Sequence, residues 1–255
     1  MEDIEIEPAD TLVLADDAKS SSVILDVLQN ADRVFEKWDN ACARIDDIYS
    51  KRRTIDYGEG WNDGELDLFW ASYEILKPAI YARPPKPVVS TQFKDRDPVK
   101  SKTAELLERV SVSNFDRSNI DDVMIEVRDD LIFTNRGVMW LTYESKNGDQ
   151  CVHIEHLDRN DFRHEPARKW SEVGWVARRA WMTRKALKKR FSKSSGDAYM
   201  NVNLSNRKER DDVEGANDKS KKGSVWEVWH KADNRVYWVS EGVDVILDEG
   251  EPHLK

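Results

Sequence analysis

The residues best suited to chemistry in this chain are few. Cys151, His153 and His156, with His164 nearby, are thiol and imidazole donors of the kind zinc prefers. On an extended strand Cys151 and His153 share a face while His156 points to the other. Zinc needs about four converging donors, so these are expected to be partly exposed strand residues, and no metal or other cofactor is expected. Asp158, Asp161 and Glu165 are the carboxylates a metal-dependent nuclease would use, but Arg159, Arg163 and Arg168 are interleaved with them. Ion pairs are the expected outcome, and no catalytic residue is assigned. A Walker-type phosphate loop, a paired-glycine dinucleotide fingerprint and a serine nucleophile elbow are all absent from the sequence. Gly58-Glu59-Gly60 is too short and lacks a flanking strand. The chain is therefore read as a non-enzyme.

Charge is the next signal. The formal net charge is −9, which argues against a protein that coats nucleic acid over its whole surface. From Arg163 to Lys193, however, there are eleven Lys or Arg against two acids, Glu165 and Glu172, so the rest of the chain carries about −18. A basic region inside an acidic protein suggests one face for an anionic or acidic partner, a solvated helix face being the plain alternative. The expected contact residues for a partner or for DNA are Arg163, Arg168, Lys169, Arg178, Arg179, Arg184, Lys188, Lys189 and Arg190. Ten tryptophans accompany this charge. Trp175, Trp181, Trp226, Trp229 and Trp238 fall on expected strands, where tryptophan packs as core or at an interface. Stacking on single-stranded bases is the weaker reading, because Trp226 and Trp229 cannot face the same way on one strand.

These residues must be positioned by helices first and strands later. Residues 1–19 are expected to form a flexible acidic arm. From Val23 to Tyr49 apolar residues recur every three or four positions, from Ile24 and Leu28 to Ile45 and Ile48, which predicts one long helix requiring a long partner surface. A second helix is expected from Glu65 to Leu76, deeply buried because apolar residues cover most of its circumference, and kinked or ended by Pro78. Ala82-Arg83-Pro84-Pro85-Lys86-Pro87 reads as a stiff extended segment. Asp97 and Pro98 open a helix to about Val112, and another runs from Asn119 to Phe133, with Gly137 expected to supply a left-handed stop.

The period then changes to two. Val138–Tyr143 and Cys151–Leu157 flank Asn147-Gly148, a hairpin signal. Trp175–Met182 is a third strand followed by a short basic helix, Thr183–Phe191. Residues 192–223 read as a mobile polar loop, and Val225–Lys231 with Arg235–Ser240 as a last hairpin, followed by a strand at Val243–Leu247. The expected organisation is a helical region over 20–135 and a mainly antiparallel β region over 136–255, an α+β fold. Two cysteines, an acidic N-terminal stretch and no apolar run of about 18 residues point to a reduced cytoplasm with no membrane span.

Several stretches resemble portal proteins of short-tailed bacteriophages. They are Leu68-Phe69-Trp70-Ala71-Ser72-Tyr73-Glu74-Ile75-Leu76-Lys77-Pro78 running into Tyr81–Pro87, Gly137-Val138-Met139-Trp140-Leu141-Thr142-Tyr143-Glu144, Asp161–Trp170 continuing to Trp175–Arg179, and Val225–Lys231 with Val236–Val239. They occur in the family's order across roughly Trp61 to Leu247. The resemblance implies a virion component, the head-to-tail connector: a homo-oligomeric ring, dodecameric in the full-length family, at one capsid vertex. Double-stranded DNA passes through it in genome packaging and ejection. The implied partners are other copies, the major capsid protein, the terminase large subunit and tail adaptors, met in the host cytoplasm during assembly. Portal chains are normally longer, so this sequence is expected to match the N-terminal wing portion and to lack the stem, clip and crown. A nucleic-acid-binding protein using the Arg163–Lys193 region is the alternative.

Overall fold

The computed structural model describes residues 20–53, 68–91, 97–146, 149–205 and 221–252. The arm expected over 1–19, the glycine-rich connection around Gly58, the Asn147-Gly148 turn and the polar residues 206–220 lie outside the described residues. The fold is α+β, long N-terminal helices followed by antiparallel strands. The helices are α1 (Ser21–Arg53), α2 (Leu68–Ile80), α3 (Pro98–Arg117), α4 (Ile120–Thr134) and α5 (Arg184–Phe191). The strands are β1 (Val138–Lys146), β2 (Asp149–Leu157), β3 (Phe162–His164), β4 (Trp175–Met182), β5 (Leu204–Ser205), β6 (Lys222–His230), β7 (Arg235–Val239) and β8 (Asp248–Gly250).

Two compact units emerge, and they do not divide the chain into a helical half and a strand half. One comprises the described residues within 20–37 and 160–252, the other essentially those within 38–159. Helix α1 is shared between them. At about 1.5 Å per residue its 33 residues are too long for a single small core to cover.

In the first unit β3, β4, β6, β7 and β8 form one antiparallel sheet, with β5 added to β6. Strand alternation sends two sets of side chains to opposite faces. Trp175 and Ala177 of β4, Trp226 and Val228 of β6, and Tyr237 and Val239 of β7 pack on Ile24, Leu28 and Ala31 of α1. Val225, Val236 and Trp238 pack on Leu187 and Phe191 of α5, with Tyr199, Val202, Val243 and Leu247. Trp226 and Trp229 accordingly go to different clusters.

The start of the stretch read as a mobile loop is therefore built into the second cluster. A 3-10 turn at Ala198–Asn201 and strand β5 bury Tyr199 and Val202, which polarity averaged over the whole segment conceals. The strand expected at Val243–Leu247 is not formed. Val243 and Leu247 instead plug the cluster from a bend, Leu247 donates its N–H to Trp238 O (2.8 Å), and pairing with β7 resumes at β8.

In the second unit α4 packs on the β1–β2 hairpin and on α2. Phe133 of α4 stacks on Tyr73 of α2, with ring centroids 4.5 Å apart, and also meets Tyr49 of α1 at 4.8 Å. The left-handed stop of α4 falls on Asn135 (φ 60°), not on Gly137. Gly137 serves a different need: a Cβ there would lie 2.2 Å from the Val127 carbonyl oxygen, so only glycine lets β1 start this close to α4.

Helix α2 departs from expectation twice. It runs two residues past Pro78, and it is not deeply buried. Tyr73 alone is buried, while Leu68, Trp70, Ile75, Leu76 and Ile80 are exposed. A 13-residue helix resting one stripe on α4 leaves the rest of its circumference uncovered, however apolar it is.

Candidate functional site

The basic segment is carried by β3, β4 and α5, and the sheet register decides which of its charges remain available. Arg178 of β4 lies directly opposite Glu227 of β6. Its Nε donates to Glu227 Oε2 at 2.6 Å, and Trp229 Nε1 donates to Oε1 at 2.8 Å. Arg179, the next residue, points to the other face of the sheet. There it donates to Asp161 Oδ1 (2.9 Å) and to the Asn160 carbonyl (2.8 Å), and lies over the rings of Trp181 and Trp226. Asp161 also accepts from Trp181 Nε1 at 3.0 Å.

Arg163 of β3 is buried, donating to Asp32 of α1 (2.5 Å) and to the Phe162 carbonyl (2.8 Å). Arg184 donates to the carbonyls of Tyr199, Met200 and Val202, at 2.8, 2.8 and 3.2 Å, pinning the 3-10 turn to the start of α5. Arg190 pairs with Asp248 at 2.7 Å. Five of the nine residues expected to meet a partner are thus engaged inside the first unit.

Lysines remain. Lys188 and Lys189 of α5 are exposed, and so are Lys185 and Lys193, which the sequence-based set omits. No described carboxylate pairs with any of these four. Thr183 caps α5, its Oγ1 accepting from Ala186 N–H at 3.4 Å, and Leu187 and Phe191 occupy the buried side with no exposure at all. The signal for the missing two was present in the spacing. Positions 185, 188 and 189 share one helix face, and 187 and 191 share the opposite one. Arg168 and Lys169 are exposed beside Trp170 (67% exposed), before β4 begins and hence at the other end of that strand from α5.

The candidate carboxylates Asp161 and Glu165 are taken up by partners within the first unit. Among the described residues no group of three or more His, Cys, Asp or Glu side chains is placed to hold a metal ion. His153 is exposed. Asp161 is taken by Arg179 and Trp181, and Glu165 accepts from Gly174 N–H at 2.5 Å. His164 sits between the rings of Phe35 and Trp170, at 4.9 and 5.5 Å, and faces the Glu165 carbonyl from Nδ1. In the second unit Cys42 is buried, and that burial pushes its thiol above the ordinary range, with Arg159 drawing it partly back.

His156 of β2 is held between two carboxylates of α4. Its Nε2 lies 2.7 Å from Asp130 Oδ2 and its Nδ1 3.4 Å from Glu126 Oε2. The hydrogen bond to Asp130 raises its pKa above 6.5, against the opposing effect of burial, with Asp130, Glu126 and Asp158 adding to the rise. A raised folded value means the tie is at full strength below the unfolded pKa of about 6.5 and weakens as pH rises through the folded one. His156→Gln is therefore expected to lower the unfolding midpoint more at pH 5.5 than at pH 9. Thermal melts across that range check it, and an equal loss at both ends would remove the charged tie.

No family model matches the chain, and no curated protein is detectably similar to it.

Proposed function

We propose that this chain is a subunit of a phage portal, the ring at one capsid vertex through which double-stranded DNA is packaged and ejected. The observation that carries the proposal is the uncovered apolar surface of α2 and α3. On α3, Val99, Leu106 and Val110 are 72%, 62% and 55% exposed, and no residue of that helix is buried. On α2, Leu68 and Ile75 are 67% and 71% exposed.

Apolar side chains left uncovered along one helix face, as Val99, Leu106 and Val110 are on α3, favour a site that a partner covers. Burying one such side chain contributes about 1.5–3 kcal/mol, so two helices supply ample driving force for association. One of the stretches that resemble portal proteins, 68–78 continuing to 81–87, forms α2 and the extended segment after it. On α2 the likeness and the uncovered surface therefore fall on the same residues, which favours other copies of the chain as the cover.

The test is the mass distribution of the purified chain with images of any large species. Closed rings of about a dozen copies are expected, as a repeated heterologous contact that closes would produce. Leu106→Glu with Val110→Glu is expected to leave a folded monomer. Substitutions at exposed positions change stability by only about 0.5 kcal/mol, whereas two charges in a buried contact oppose assembly strongly. A wild-type chain that stays monomeric at every concentration would sink the reading.

A further inference from the structure

We infer that the outer face of α5 is a docking surface for the phosphate backbone of double-stranded nucleic acid, carried by Lys185, Lys188, Lys189 and Lys193. The surface lies in the first unit and stands whether or not the chain closes into a ring.

Three observations converge on it. First, the positive charge is selective. Arg163, Arg178, Arg179, Arg184 and Arg190 are consumed internally by Asp32, Glu227, Asp161, Asp248 and backbone carbonyls, and the exposed Arg168 lies at the other end of β4. The four lysines have no described carboxylate partner, and no acid occurs between residues 183 and 196. In a chain of net charge −9 this is a concentrated exception.

Second, the lysines are mounted rigidly. Leu187 and Phe191 are completely buried under the helix, Arg184 ties its first turn to three carbonyls, and Arg190 ties its last turn to Asp248. A solvated lysine tail would need no such seat.

Third, the spacing suits a linear polyanion. Lys185 and Lys189 are four residues apart, about 6 Å along the axis, and Lys193 follows in the turn whose Ser195 N–H bonds back to the Phe191 carbonyl. One strand of a duplex places a phosphate about every 3.4 Å along its axis, so the row can engage several successive phosphates. Lysines act there as point charges without base readout.

The nature of the rings decides between duplex and single strand. Stacking on unpaired bases needs exposed aromatic faces. Among residues 183–196 the one aromatic, Phe191, is fully buried, and beyond the helix Trp238 and Tyr199 are buried beneath it. The surface offers charge without a stacking platform, which favours the duplex backbone.

The experiment is fluorescence anisotropy of a labelled 30-base-pair DNA of arbitrary sequence, titrated with the full chain at 50 to 200 mM salt. Binding with a slope of log K against log salt of about −3.6 is expected, roughly 0.9 per lysine. Affinity should then fall about a hundredfold over that range. The variant carrying Lys185→Gln, Lys188→Gln, Lys189→Gln and Lys193→Gln should lose at least about tenfold in affinity at 50 mM and most of the slope. Its circular dichroism and melting should match the parent, since all four side chains are exposed.

Arg168→Gln with Lys169→Gln, at the other end of β4, should leave both readouts unchanged. No binding at 50 mM, or a quadruple variant with unchanged affinity and slope, would overturn the inference. So would polyglutamate of equal charge displacing the duplex equally well, an outcome that assigns the face to an acidic protein instead.

Discussion

Replacing Glu227 by alanine is expected to destabilise the chain by about 3–5 kcal/mol. Glu227 is 2% exposed, and both its carboxylate oxygens are occupied, one by Arg178 Nε at 2.6 Å and the other by Trp229 Nε1 at 2.8 Å. The Arg178 side chain is itself largely covered, at 17% exposure. Removing the carboxylate takes away the Glu227 partner of a largely covered guanidinium and the acceptor of a tryptophan N–H, and each loss carries a desolvation cost.

The more informative variant is the pair Arg178→Met with Glu227→Leu. A buried ion pair replaced by apolar side chains of similar volume is often neutral in stability. The double variant should therefore recover all but about 1 kcal/mol, the share left by the Trp229 N–H. Urea midpoints at constant m-value measure both. A single-variant cost below about 1 kcal/mol, or a double variant no better than Glu227→Ala, would show that the pair does not set the stability of this sheet.

The same pair marks the limit of what the sequence discloses. Helix α1 was legible because its apolar spacing persists from Val23 to Tyr49, and β4 because Trp175–Met182 precedes a helix cap at Thr183. The basic segment was legible as a run of charge but not as a surface. Arg178 finds Glu227 only because β4 and β6 pair in one register across 49 positions, and Arg163 finds Asp32 across 131. Composition cannot tell an arginine satisfied by a distant strand from a lysine left in solvent, so five paired residues entered the expected contact set. Two of the four unpaired lysines were left out, although their spacing opposite Leu187 and Phe191 was readable.

Helix α2 shows the converse error. Apolar residues around its whole circumference implied burial, yet periodicity records only that a helix wants to be covered. Within this chain α4 covers one stripe of it, and the exposed remainder is the feature on which the portal proposal rests.

Phe191→Ala is expected to cost about 3–5 kcal/mol and, unlike the Glu227 change, to act on the proposed duplex surface as well. Phe191 has no exposed area, and its ring lies 5.7 Å from that of Trp238 at a tilt, among Leu187, Tyr199, Val202 and Leu247. Helix α5 has only eight residues, far below the length at which a helix persists alone in water. Nearly every residue on it other than Leu187 and Phe191 is charged, so its conformation depends on those two anchors and on the Arg184 and Arg190 ties.

Truncating Phe191 removes the larger anchor and leaves a cavity under the last turn, while Phe191→Leu, which keeps most of the volume, should cost less than about 1.5 kcal/mol. Both variants retain all four lysines. If rigid mounting matters for phosphate contact, Phe191→Ala should weaken duplex binding even at temperatures where the rest of the sheet remains folded, and Phe191→Leu should not. A Phe191→Ala chain that unfolds at the parental urea midpoint would mean that α5 is not seated on the sheet. One that loses stability yet binds the duplex with parental affinity and salt slope would mean that the lysines act as independent tethered charges, with no requirement for the helix that presents them.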